Sequence, residues 1–302
     1  MGGTGMSYQI ISDGSCDLGT ETAAARQIQI VPFYVAFEEE QYLKEIEEMP
    51  VRDFYQKMVE DSRRFPKSSL PSVQDFLDTF TPCLEQGKDV ICICITTKFS
   101  GSYNSAMNAA QMLANKYPDR KIAVIDAMVN TVLQGLLVLE AVRMRDNGLE
   151  FAETVRQIER IRESGRIIFT IGSMDYLVHG GRVGKVKGAA ASTLRIRPII
   201  VLKEGEIFSS GISRNRKNSL RKVVEQVRNH LEKEGAPLSD YRLVVGYGYD
   251  REEAEAFREQ LAEVLRELGD PGELGLCQIG ATIGVHTGPH PLGVGILKKY
   301  DV

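Results

Sequence analysis

Trp is absent from this 302-residue chain, His occurs four times, and the five Cys show no Cys-x-x-Cys spacing. An odd number of cysteines without paired spacing argues against a disulfide framework and against a thiolate zinc cluster. No stretch approaches the ~18–20 consecutive apolar residues that a bilayer span requires, so no integral membrane association is expected. The start, Met1-Gly-Gly-Thr-Gly-Met6, has neither a basic opening nor an apolar stretch. No secretion signal is read there, and a reducing cytoplasm is the expected compartment. An excess of one charge sign is missing too. The 37 Lys+Arg against 41 Asp+Glu leave a net charge of -4, which argues against a surface devoted to nucleic acid.

What is present is an ordinary apolar content and a surplus of Gly. At 43% hydrophobic and 26% charged residues, wholesale disorder is excluded, and the length predicts a sizeable core split over two domains. Many of the 28 Gly fall in two connectors, 180–188 and 280–295.

Up to about residue 165, short Ile- and Val-rich runs alternate with helical patterns. Tyr8–Ser12, Ile28–Phe37, Val90–Thr96 and Lys121–Asp126 read as strands. Between the last two, Tyr103, Ala106, Met107, Ala110, Leu113, Ala114 and Tyr117 recur at helical spacing, giving one buried face. Asn130–Asn147 and Phe151–Ser164 read as two more helices. Strand–helix–strand crossovers of this length predict an N-terminal three-layer α/β/α domain, residues 6–165, with a mostly parallel sheet. Beyond it, strands at Ile167–Ser173, Pro198–Leu202, Ile207–Gly211, Tyr241–Tyr249, Glu273–Ile279 and Leu292–Leu297 surround helices at Asn215–Glu234 and Arg251–Leu268. They predict a C-terminal α+β domain, residues 166–302, with a mixed sheet. Cys92 and Cys94 alternate in one strand, so they should share a face as buried, reduced thiols.

In parallel sheets, ligands bind beyond the carboxyl ends of the strands. Three polar clusters fall there: Ser12–Asp17, Thr96–Ser102 and Asp126. Ser100 is expected to cap the following helix, with Gly101 allowing close approach. Lys67–Ser72 reads as a loop whose Ser72 caps a helix, leaving Ser68 and Ser69 free. The connector Gly280–Gly293 is dense in Gly and Pro, reads as non-helical, and carries His286 and His290 without an i, i+4 relation on a helix. Gly246-Tyr247-Gly248 is an incomplete dinucleotide fingerprint, Gly180–Val186 lacks the Ser/Thr of a phosphate loop, and Lys98 excludes a nucleophile elbow at Ser100. Between Arg182 and Lys222 stand 11 Lys/Arg against two Glu, a basic block hidden by the near-neutral total.

These separate clusters align with one family. Ser-Asp-Gly-Ser-Cys-Asp-Leu at 12–18, Ser68–Ser72, Phe99–Ala106, Asp175–Arg182 with Arg197-Pro198-Ile199, and Ile283–Pro289 resemble, in order, the motifs of the DegV fatty-acid-binding proteins. The resemblance spans about 8 to 297. It implies a two-domain carrier, not an enzyme, that holds one long-chain fatty acid such as palmitate in the cleft between the domains and needs no other cofactor or metal. It implies hydroxyl donors to the carboxylate at Ser68 and Ser100, with Arg182 and His286 at the same mouth and Ser69, Gly101 and Thr282 beside them. It also implies a fatty acid kinase as partner, which makes the acyl phosphate for phospholipid synthesis, and no nucleic acid. The chain departs from the family pattern at Ser68, Leu70, Gly14, Ala127 and His179. The competing reading is a serine-dependent acyl or phosphoryl hydrolase using Ser100, His286 and a carboxylate such as Asp126 or Asp13.

Overall fold

The computed structural model describes residues 8–37, 41–62, 64–186, 196–270 and 272–302. Residues 187–195, which include the end of the Gly-rich connector 180–188 and two cations of the basic block, lie outside them.

The first half is built on four parallel strands, β1 (Tyr8–Asp13), β2 (Ile28–Val31), β6 (Asp89–Cys94) and β7 (Ile122–Asp126), in the order β2-β1-β6-β7. Their Ile, Val and Cys side chains are buried on both faces, as expected of a covered parallel sheet. Helices α3 (Val73–Glu85) and α4 (Ser102–Ala114) cover one face through Phe76, Phe80, Ala106 and Leu113. Cys92 and Cys94 lie on that face with sulfurs 3.7 Å apart, and burial pushes the Cys94 thiol well up. The other face carries α5 (Thr131–Asp146) and α6 (Phe151–Arg162), which follow the short α1 (Thr20–Ala25) in the same layer.

The run 28–37 is not one strand. Pro32 lacks the N–H a continuing ladder needs, so the chain turns out of the parallel sheet. Tyr34–Phe37 (β3) instead pairs antiparallel with β4 (Leu43–Lys44) and β5 (Pro66–Ser69) in a separate three-stranded sheet. Ser68 and Ser69 therefore sit on a strand, not in a loop. The helix α2 (Val51–Glu60) packs behind this small sheet through Phe54, Tyr55 and Met58.

The second half is a six-stranded mixed sheet in the order β10-β9-β8-β13-β11-β12, made of β8 (Arg166–Thr170), β9 (Arg197–Lys203), β10 (Glu206–Ser213), β11 (Tyr241–Tyr247), β12 (Gly275–Gln278) and β13 (Leu292–Lys298). After the one-turn α7 (Asp175–His179), helices α8 (Arg216–Glu234) and α9 (Arg251–Arg266) cover its outer face. Only β11–β12 pair parallel; the other neighbours are antiparallel.

The connector 280–293 differs from its sequence reading. Ala281–Thr287 form a helix, α10, between Gly280 in extended conformation and Gly288 at φ 75°. Gly and Pro here bound the helix rather than break it, since both Pro follow Gly288. Gly284 stands inside it because a Cβ there would come within 2.9 Å of Phe54 and of the Tyr55 hydroxyl.

Helix α5 lies between the two large sheets. Leu133, Leu137 and Ala141 share one apolar cluster with Ile10 and Ile91 of the parallel sheet and with Ile167, Leu202 and Leu297 of the mixed one. A helix buried nearly all round shows no single apolar stripe, and α5 has buried residues on every side.

Candidate functional site

Strand order reverses between β1 and β6, so their carboxyl ends open a crevice. Asp13 ends β1 and is wholly buried there. Its Oδ1 accepts from Ser15 Oγ and Gln134 Nε2, both at 2.9 Å, and its Oδ2 accepts from the Ile95 N–H at 2.9 Å and Ser102 Oγ at 2.7 Å. Burial raises the Asp13 carboxyl above its ordinary range, against the lowering effect of these four bonds. Asp13 thus ties the start of the Ile95–Ser102 loop to its end, and Ser100 stands between.

Ser100 is not the cap of α4. Gly101 holds the N-cap position, and Ser100 Oγ accepts from the Ser102 N–H at 3.2 Å, one residue further out. The loop is held from across the molecule as well: Thr96 Oγ1 donates to the Gly205 carbonyl in the β9–β10 turn at 3.0 Å.

Behind the loop is a cavity of about 210 Å3 whose wall is drawn from the mixed sheet, from residues just beyond the carboxyl ends of β2 and β6, and from β5, the start of α5 and α10. Most of its surface is apolar, including Phe33, Ile95, Phe99, Ile167, Leu202 and Ile279. Ser68, Ser69, Ser100, Arg182, Thr282 and His286 all line it; Gly101 does not, although a Cβ on it would lie 3.5 Å from Leu70 at the rim.

The polar groups converge. Ser68 Oγ lies 3.3 Å from His286 Nε2. Arg182 Nε donates to the Phe99 carbonyl at 3.1 Å, and Nη1 to the Gly180 carbonyl at 2.7 Å, which puts the guanidinium beside Ser100. Burial, with the Arg182 charge added, drives the His286 imidazole from the usual 6.5 down to about 4, so it is neutral at pH 7. Its Nδ1 is buried with no hydrogen-bond partner among the described residues. Gly180 packs so closely that a Cβ would fall 2.1 Å from that nitrogen.

Two contributors escaped sequence reasoning. Glu45, wholly buried, accepts from the Thr282 N–H at 3.1 Å and so holds the first turn of α10. Thr131, at the cavity edge, has φ 50°, an uncommon and costly conformation for a β-branched residue. Its Oγ1 donates to Asp17 Oδ2 at 2.6 Å. Burial raises both Asp17 and Glu45; the Glu45 charge adds to the rise at Asp17, and the Asp13 charge to that at Glu45. Leu70, singled out in the sequence as a departure from the family pattern, lies exposed at the rim. Nothing local marks Glu45 or Thr131, because their partners are more than a hundred residues away.

The arrangement does not assemble a hydrolytic triad from the carboxylates considered for it. His286 Nε2 faces Ser68, Asp13 is committed to its four donors, and Asp126 accepts from Thr97 and the Met128 N–H. Part of the basic block is tied down within the fold. Arg216 makes a bidentate pair with Glu253 and reaches the His290 carbonyl, while Lys185 pairs with Glu206.

A family model described as "Uncharacterised protein, DegV family" matches residues 7–299. The chain belongs to the DegV family. Among solved DegV-like structures, a stearic acid-binding protein from Eubacterium ventriosum is 41% identical, with a TM-score of 0.92 over 97% of this chain and 99% of that one. A fatty-acid-binding DegV protein from Thermus thermophilus is 27% identical, with a TM-score of 0.86 over 97% of this chain and 100% of that one. Among curated relatives, a "Fatty acid-binding protein" from Thermotoga maritima is 29% identical over 96% of this chain and 98% of its own. Among the described residues of this DegV chain, no helix is long and apolar enough to cross a membrane.

Proposed function

We propose that the chain is a carrier that buries one long-chain fatty acid in this cavity and presents its carboxylate to a fatty acid kinase for acyl-phosphate formation. The observation that carries the reading is the cavity itself, apolar along its length with Ser68, Ser100, Arg182 and His286 converging at one mouth. Fatty acid binding by the Eubacterium, Thermus and Thermotoga relatives supports it.

The energetics fit an acyl ligand. Burying a tail of ~16–18 carbons at ~0.8 kcal/mol per methylene has a gross driving force above ~10 kcal/mol before ordering costs. A carboxylate leaves water only if hydrogen-bonded, and two hydroxyls with a guanidinium provide charge-assisted compensation. An incoming carboxylate beside His286 opposes the effect of Arg182 on the imidazole, while burial continues to hold its pKa down.

The test is denaturation of the purified protein, extraction into organic solvent and mass spectrometry. A stoichiometric long-chain acid is expected. No lipid, together with no thermal shift on adding one, overturns the reading. Turnover of acyl esters or phosphoesters that Ser100→Ala abolishes would establish the hydrolase instead. The kinase step is read separately, by trapping acyl phosphate with hydroxylamine when kinase and ATP are added to the loaded carrier.

A further inference from the structure

Beneath the polar mouth, the apolar wall divides into two arms. One lies over β9 and β10, where Leu202 and Ile207 are cross-strand partners. Gly184 packs against Ile207 there, so tightly that a Cβ on it would come within 2.9 Å of that side chain. The other arm crosses β13 and β11 toward Ile279, beyond β12. There the wall residues Gly293 and Gly246 are direct cross-strand partners, so the sheet offers bare backbone. A Cβ on Gly246 would stand 3.0 Å from Val132 and 3.5 Å from Ile279. Gly246 therefore keeps open the space between those two side chains.

Alternate strand residues face the same way, so the next residue on this face of β11 is Val244, and one helical turn beyond Val132 is Leu136. Val132, Val244 and Ile279 belong to one buried cluster, with Leu136 and Cys277 packed against it. Val244, Leu136 and Cys277 in turn line a second cavity of about 720 Å3 under the C-terminal half of α5, together with Leu139, Val142 and Leu243 and with charged residues that include Glu140, Arg143, Arg242 and Glu273. The two cavities are successive spaces in one crevice between α5 and the β11–β12 face. A single layer of side chains separates them.

We infer that the Val132–Val244–Ile279 layer is the end-stop for the ligand's tail, that Gly246 sets the chain length reached before it, and that the second cavity receives longer tails once the layer is trimmed. The assignment rests on the fatty-acid reading above and adds which part of the wall selects among acids. Each methylene denied burial lowers affinity about four-fold, the equivalent of ~0.8 kcal/mol.

Delipidated protein is incubated with an equimolar mixture of saturated acids from about 12 to about 22 carbons, repurified, and its retained acids are profiled by mass spectrometry. Gly246→Ala, whose methyl requires only a small shift of Val132, is expected to move the upper length limit down. Val244→Ala is expected to move it up, with Ile279→Val as a milder opener should Val244→Ala unfold. Leu202→Phe, in the opposite arm, is expected to leave the limit in place. A limit unmoved in the folded Gly246 and Val244 or Ile279 variants overturns the assignment, and so does a limit set by Leu202→Phe. A wild-type protein that retains no acid overturns the proposed function and this assignment together. Retention with an unmoved limit overturns this assignment alone.

Discussion

Ser68 Oγ and His286 Nε2, 218 residues apart in the chain, meet at 3.3 Å across the cavity mouth. The serine arrives on an antiparallel edge strand and the histidine on a helix of about two turns, so neither is held by its own neighbours in sequence. The helix is placed by Glu45 at its start and by Gly284 against α2, and the strand by its ladder with β3.

His286 makes stability depend on pH in a defined direction. Its folded pKa of about 4 is below the ordinary 6.5, so the unfolded chain binds the extra proton between those values. The contribution is neutral above about pH 6.5, and stability falls as pH drops toward 4, by about 3 kcal/mol in total. Urea unfolding of ligand-free protein at pH 7 and pH 4 should show this fall, and His286→Gln should flatten it. An identical pH slope in the variant would show that the imidazole titrates normally in the fold.

Asp13 is expected to be needed for the shape of the Ser100 loop. Asp13→Ala strips the acceptor from the Ile95 N–H, Ser102, Ser15 and Gln134 at a dry site. The expected loss is about 3 kcal/mol, seen as a lower urea midpoint at unchanged slope. Fatty acid retention should fall as well, since the loop loses both its ties. Full retention in a folded variant would remove Asp13 from the positioning role.

Gly180→Ala probes the mouth without touching a proposed donor. The new methyl would overlap His286 Nδ1 and push the ring off Ser68. The fold should survive, because Gly180 ends the short α7 at an exposed rim and has ordinary φ. Thermal stability near wild type with a several-fold weaker affinity for the acid is the expected pair of results. Unchanged affinity would place the carboxylate elsewhere.

Much of this protein was legible before folding was considered. The parallel strands, the amphipathic α4, the mixed second sheet and the ordered motifs are local signals, carried by periodicity and by short residue strings. The exceptions share a cause. Pro32 ended a strand inside a continuous apolar run because a ladder needs its missing N–H. The 280–293 connector became helical for half its length because Gly284 fits against Phe54 and Tyr55, a packing fact that a helix-breaking propensity of ~1 kcal/mol could not outweigh.

Tertiary structure alone decided the site's inner geometry. It paired Ser68, rather than Ser100, with His286, committed Asp13 to the loop, and brought Glu45 and Thr131 to the cavity edge. It also spent Arg216 of the basic block on Glu253. Each is a polar contact between separate segments that offsets the cost of taking those groups out of water, and composition and spacing do not record which groups will meet. The absence of Trp and the abundance of Gly end with a concrete meaning only on the glycines' side. Gly180 makes room for an imidazole that a Cβ would overlap, and Gly246 leaves a gap in which a Cβ would crowd Val132.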